Sequence, residues 1–343
     1  MPLGGNSLGV ARSLAEAAVR PVGASACSML RAAGQNQLPL SGSWGSTGPH
    51  RGPSVVGMDT VSAPHPAHLS MGAICFRDRP FPEIIAAAST SGFTGIGLTV
   101  GQCVSALERG IDLSEISSRV TDAGLRVAEL ELIRLGDDGP VQHSNALVEE
   151  LSHALLPDRV HVAAFTGELP RISDQLAAVC DRLSHVPVAV EFMPYSQIAN
   201  LTQAIELTKH TGAPNAKVVL DVVHFFRSGA DPTDLTAGQL DWIAGLQLSD
   251  VAVRHGVSLS REARHLRTYP GRGTLDIVGL LRSIGGFSTT LPPVSVEPIS
   301  DALELLPLPV VAEEIMFSTL GTLAAAGWVT GDGRFTHATP SAN

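Results

Sequence analysis

From Leu69 to about Trp328 the chain repeats one pattern: a short apolar or β-branched run, then a longer amphipathic stretch, then another short run. Strand-like runs fall at LSMGAIC (69–75), TGIGLT (94–99), LRVAELELI (125–133) and RVHVAAF (159–165). Four more follow at VAVEFM (188–193), KVVLDV (217–222), LQLSD (246–250) and VSVEP (294–298). Between them lie segments such as FPEIIAAASTSG, ISDQLAAVCDRLS, IANLTQAIELTKHTG and LDIVGLLRSIGG, with the apolar spacing of helices that bury one face. Gly92, Gly124 and Gly212 stand where helix C-caps are expected, because glycine enters the left-handed conformation without a Cβ penalty. Eight strand–helix pairs predict an α/β fold, a closed (β/α)₈ barrel, whose usual length is about 250 residues. The competing arrangement is an open doubly wound sheet, but no glycine-rich nucleotide-binding turn follows the first strand.

The flanks do not share this pattern. Residues 1–66 are rich in Gly, Ser, Pro and Ala, and between Met1 and Gly57 the charged residues are Arg12, Glu16, Arg20, Arg31 and Arg51. Such a stretch reads as a disordered leader or as sequence upstream of a true start at Met58; an organelle transit peptide is the other reading. The barrel is expected over 67–330, with a disordered tail at 331–343.

Bulk properties exclude several classes. With 343 residues, 44% of them hydrophobic and 16% charged, the chain can bury one large core. A formal charge of -10 argues against a nucleic-acid surface, which needs clustered Lys and Arg. Cys27, Cys75, Cys103 and Cys180 are widely spaced with no CxxC pair, which fits free thiols in a reducing, cytoplasmic setting rather than a disulfide framework or thiolate zinc site. No apolar run approaches the roughly 18 residues of a membrane span, so no membrane partner is expected.

In a barrel of this kind the working residues stand at the C-terminal ends of the strands, around one mouth. Four polar residues interrupt apolar runs at such ends: Glu191 in VEFMP, Asp221 in LDVVH, Gln247 in LQLSD and Glu297 in VSVEP. Each acid taken alone is more often a solvated strand end or a helix N-cap. Together, three carboxylates and an amide at one mouth repel unless a cation joins them. All four offer oxygen, so a hard divalent ion, Mg²⁺ or Mn²⁺, is the expected cofactor.

The run VEFMPYSQIANLTQAIELTKHTGAPNAKVVLDVVHFFRSG, with QLSD, RTYPGRGTLD and VSVE, resembles the sugar phosphate isomerase/epimerase superfamily of xylose isomerase-like barrels. The similarity covers residues 68 to 328. It implies that Glu191, Asp221, Gln247 and Glu297 hold the metal, and that His224, one helical turn past Asp221, contacts substrate oxygen. Many relatives carry His where Gln247 stands; Gln is found in a branch resembling 3-dehydroshikimate and inosose dehydratases. PGRG, with Arg272, departs from the commoner PGEG.

The residues and the resemblance lead to an expected isomerase or epimerase of a small sugar or keto-polyol. Proton abstraction beside a carbonyl would use Glu191 and Glu297 as base and acid. The alternative is a lyase that dehydrates a keto-polyol through the same enediolate-like intermediate. A multi-metal endonuclease fits poorly with the charge and the few histidines beyond the fourth strand. A non-catalytic sugar-binding barrel has no need of both glutamates. Substrate contacts are expected from His224 and Arg267, the latter preferred over Arg254 and Arg264, and from Arg227 unless it caps its loop. Glu131 reads as an ordinary strand-end charge and Cys75 as a buried thiol. A homo-oligomer is compatible with the sequence, but no surface in it points to one.

Overall fold

The computed structural model describes residues 69–77, 79–136, 140–252, 255–331 and 334–337; the expected leader, 1–66, lies outside them. Eight strands close into a barrel: β1 (Leu69–Met71), β2 (Gly95–Thr99), β3 (Arg126–Leu135), β4 (Val160–Ala164), β5 (Val188–Glu191), β6 (Ala216–Asp221), β7 (Ile243–Leu248) and β8 (Val294–Val296). Each pairs in parallel with its sequence neighbours, and β1 closes the ring on β8. Every one of the eight expected strands is present. Their ends differ by up to four residues, because a strand boundary is set by pairing rather than by the apolar run itself. The first run illustrates this: the ladder ends at Met71, and residues 73–76 turn as a 3-10 helix.

The strands are near-continuous apolar runs because helices cover their outer faces while side chains fill the interior. Helices 81–90, 169–182, 201–211 and 277–287 match the amphipathic segments in the sequence and bury their apolar stripes. Gly212 caps helix 201–211 at φ 64°, and Gly92 and Gly124 follow their helices at φ 86° and 73°. Local polar caps set other starts. Asn200 accepts from Gln203 N, and Thr99 and Gln102 form a reciprocal capping box.

Two observations amend the sequence reading. Helix Leu308–Ala325 is, by length and composition, apolar enough to cross a membrane. Half of its residues are buried against helices 81–90 and 277–287, as a core helix's would be. Glu313 and Glu314 interrupt its apolar run in the sequence. Within the expected disordered tail, Arg334–His337 pairs antiparallel with Trp328–Gly331. Burial of Phe335 and Trp328, with the Trp328 indole donating to Leu281 O at 3.0 Å, anchors this hairpin.

Candidate metal centre and its buried floor

Asp221 ends β6, and ladder register sets it beside Gln247 on β7. Glu191 ends β5; Glu297 directly follows β8 and continues its ladder, donating its N–H to Leu248 O. The four residues therefore form an arc on consecutive strands, with the two glutamates flanking Asp221 and Gln247. A tight fit at β1 admits Glu297: a Cβ on Gly72 would lie 2.4 Å from Glu297 Cγ, so only glycine leaves room for the carboxylate to turn inward.

Asp221 carries two jobs. It is the N-cap of helix Val222–Arg227, its Oδ1 accepting from Val223 N at 2.7 Å and His224 N at 3.1 Å. Its Oδ2 accepts from Arg267 Nη1 at 2.6 Å. Burial pushes the Asp221 carboxyl up, but Arg267, His224 and these hydrogen bonds outweigh it and hold the pKa below the usual range. One lone pair of Oδ2 remains for a further partner. The helix that Asp221 caps brings His224 back over the site, its Nε2 3.6 Å from Glu191 Oε1. Burial lowers the His224 pKa to about 4, so the ring is neutral at pH 7.

Arg267 returns to the centre on a short ribbon in which Asp250–Val251 pairs antiparallel with Arg267–Thr268. Its guanidinium is buried and also donates to Ser249 Oγ at 3.0 Å and Ala263 O at 2.6 Å. Asp250 of QLSD pins the PGRG loop by accepting from Gly273 N and Leu275 N. Arg272 in that loop points outward to Glu314 at 3.0 Å. Arg227 forms a two-pronged pair with Glu262, at 2.6 and 3.0 Å, tying its helix to segment Leu259–His265. Arg254 lies outside the described residues.

The fit to a divalent ion rests on unpartnered atoms. Gln247 Oε1 and Nε2 and Glu297 Oε1 are buried without a hydrogen-bond partner among the described residues, which is costly unless a ligand engages them. Ligand atoms of Glu191, Asp221 and His224 also lie within 4.8 Å of one another. Burial and then Asp221 raise the Glu191 pKa to about 8; burial and then Glu131 hold Glu297 well above the carboxylate range. Carboxylates desolvated and crowded in this way are relieved by a cation, and the oxygen-rich set suits a hard one.

Beneath the centre lies a second buried cluster that the sequence reading did not identify. Arg159, just before β4, donates to Glu129 Oε2 of β3 at 2.5 Å, to His161 Nε2 of β4 at 3.1 Å and to Ser295 Oγ of β8 at 3.3 Å. A Cβ on Gly245 of β7 would sit 2.7 Å from Arg159 Cζ, so that glycine opens the space the guanidinium fills. Glu129, Glu131 and His161 lie close enough together to suggest a metal triad. Glu129 Oε1 and His161 Nδ1 are buried without a hydrogen-bond partner among the described residues there too, but the contacts of Arg159 argue against an ion. Arginine only donates, so His161 Nε2 is the acceptor and the ring proton sits on Nδ1, which cannot then ligate. Arg159 already supplies the cation there. Glu131 sits between floor and mouth; burial, followed by the charges of Glu129 and Glu191, holds its carboxyl well above the usual range.

A signal for this cluster was present in the sequence. Glu129 and Glu131 in VAELELI, and Arg159 and His161 in RVHV, are spaced two apart in strands, which puts each pair on one face. Charged residues on the inner face of a barrel strand need partners within the barrel. The remaining expectation, Cys75, is a buried thiol whose Sγ lies 3.8 Å from Val296 O, its pKa raised by burial and by Glu297.

Comparison with known proteins places this architecture. A family model described as xylose isomerase-like TIM barrel matches residues 85–317. No curated protein sequence matches the chain. Among solved structures, a xylose isomerase-like TIM barrel/4-hydroxyphenylpyruvate dioxygenase fusion protein is similar at TM-score 0.66 and 20% identity over 76% of this chain; the match spans only 43% of that longer protein. The IolI protein with a bound zinc atom is similar at TM-score 0.65 and 15% identity, over 75% of this chain and 98% of that one. The probable 3-DHS dehydratase AsbF from Bacillus anthracis, involved in petrobactin synthesis, follows at TM-score 0.61 and 16% identity, over 74% and 98%. At such identities the likeness establishes the fold. With the closed parallel barrel and a family match over most of its length, the chain belongs to the xylose isomerase-like TIM barrels.

Proposed function

We propose that the protein is a divalent-metal-dependent isomerase or epimerase of a small sugar or keto-polyol. The observation that carries this reading is the arc itself: two glutamates on β5 and β8 flank an aspartate and an amide, all offering oxygen, with buried oxygens lacking partners. Glu191, Asp221, Gln247 and Glu297 would hold the ion, and Mg²⁺ or Mn²⁺ suits this donor set. When bound, the ion supplies Lewis acidity toward a carbonyl and its neighbouring hydroxyl.

The chain's own groups do the rest. One glutamate takes the proton from the carbon beside the carbonyl, and the other, on the far side of the arc, returns a proton to the neighbouring carbon or the opposite face. Neutral His224 offers a hydrogen bond to a substrate hydroxyl without adding charge. Arg267 keeps Asp221 ionised and fixed, so that the mouth is organised before substrate arrives. Burial at the arc excludes water, which strengthens each of these interactions.

A second reading, dehydration of a keto-polyol, is favoured by one observation: Gln247 occupies the β7 position in the arc. A neutral amide donates less electron density than an imidazole and leaves the ion a stronger Lewis acid, which helps expel a β-hydroxyl. The fold neighbour AsbF is named as a probable dehydratase. Both readings are tested by incubating the Mn²⁺-loaded protein with ketoses and keto-inositols in deuterated water. Deuterium entering the carbon beside the carbonyl, with no loss of water, is the expected result. A conjugated-enone absorbance would select dehydration, and neither signal with any keto-polyol would refute both readings.

A further inference from the structure

Arg264 stands at the rim of the mouth with its donors unused. Its guanidinium lies over two aromatic rings, Phe165 at 5.7 Å and Tyr195 at 6.0 Å. A guanidinium over rings in this way spends none of its N–H donors on hydrogen bonds. Among the described residues no carboxylate lies within ion-pair reach of it, and no hydrogen bond uses its side chain. Acids flanking the same segment are engaged elsewhere: Asp301 bonds His265 at 2.8 Å, and Glu304 lies 3.6 Å from Arg77. The side chain is exposed.

Its position is fixed from both sides. Arg77 donates to the Arg264 carbonyl at 3.2 Å. The preceding carbonyl, Ala263 O, accepts from Arg267, the residue that grips Asp221. Tyr195, beneath Arg264, meets the edge of His224 at 5.6 Å. The cation is thus two contacts from His224 and three from Glu191 of the arc, near enough that its charge lowers the pKa of both. Arg267, by contrast, is buried and engages Asp221, Ser249 and Ala263, with Nη2 3.5 Å from His224 Nε2.

We propose that Arg264 is an anion-receiving residue of the mouth, and that the substrate is a keto-polyol bearing a carboxylate or phosphate. The five free N–H donors, carried over the two rings, suit a two-pronged bond to such an oxyanion. This takes the mouth as the substrate site from the reading above and adds the substrate's charge. It also fits an acidic protein, since a net charge of -10 repels anions unless a local cation receives them.

The test is isothermal titration of the full-length, Mn²⁺-loaded protein with three probes: 3-dehydroshikimate, fructose 6-phosphate and uncharged fructose. Wild type is expected to bind at least one anionic probe about tenfold or more tightly than fructose. That preference should fall about tenfold in Arg264→Met and partly return in Arg264→Lys, whose ammonium keeps the charge without the fork. Arg261→Met, an exposed change on the same segment, should leave it intact. Which anionic probe gains separates carboxylate from phosphate. The proposal is overturned if neither anionic probe outbinds fructose, if Arg264→Met keeps the preference, or if Arg261→Met loses it equally. Failure of the reaction reading looks different: anion-selective binding would persist with no deuterium exchange and no enone.

Discussion

The mouth and the floor of this barrel are both built from buried charge, yet they balance it in opposite ways. At the floor, Arg159 bridges Glu129, His161 and Ser295, and the cation is part of the chain. At the mouth, Arg267 serves Asp221, while among the described residues no guanidinium is hydrogen-bonded to Glu191 or Glu297. Among the described residues, Glu129, Glu131, Glu191, Asp221 and Glu297 share two buried guanidinium groups, Arg159 and Arg267. The difference separates structure from function. A buried charge with a partner in the chain holds the fold, whereas the surplus at the strand ends is where the proposed ion and substrate would bind.

The sharpest way to break that contrast is Glu297→Gln. If the mouth is the reacting end, turnover should fall on the order of 10²–10⁴-fold with the barrel still folded. Steady-state kinetics with circular dichroism would decide, and near-normal turnover would remove Glu297 from its role. The matching change at the floor is Arg159→Met. It leaves Glu129 buried without its cation and should cost about 3–5 kcal/mol of stability by denaturant titration. A loss below about 1 kcal/mol would mean that the floor network is not the structural half of the pair.

Titration sharpens the contrast further. Glu191 has its folded pKa raised from 4.5 to about 8, and Glu131 and Glu297 are raised in the same direction. Groups raised in this way bind more protons folded than unfolded. Their contribution to stability is complete below about 4.5 and is lost as pH climbs through the folded value. Buried His161 and His224, lowered from 6.5 to about 4, act in the opposite sense up to about pH 6.5, so metal-free protein should lose thermal stability most steeply from about pH 6.5 to pH 8. Added Mn²⁺ should raise Tm more at pH 8 than at pH 6, because the ion competes with those protons. A Tm increment independent of pH would indicate that the ion is not held by these carboxylates. The smallest effect belongs to the outward-facing rim: Arg272→Ala breaks an exposed pair with Glu314 and should change stability by less than about 1 kcal/mol.

Much of this was legible in the chain before folding. The alternation of runs specified eight strands and the barrel, because each strand buried on both sides must be apolar and each helix must be apolar on one side. Glu191, Asp221, Gln247 and Glu297 stood out for the same reason: each breaks an apolar run at an end where the fold opens. Boundaries were less legible, as at β1, where Gly72 and the approach of Glu297 stop the ladder earlier than the apolar run does.

What the tertiary structure decided was which charges meet. Asp221 and Arg267 are 46 positions apart and Arg159 and Ser295 are 136 apart, and no local pattern pairs such residues. Arg267, an expected substrate contact, lies buried against Asp221, while Arg264, three residues earlier, keeps its donors open on two rings. Periodicity along a strand or helix is a local property, so the sequence by itself determined the barrel and the four residues at its mouth. The sharing of charge depends on side chains converging across a closed ring, and only the folded chain determines that.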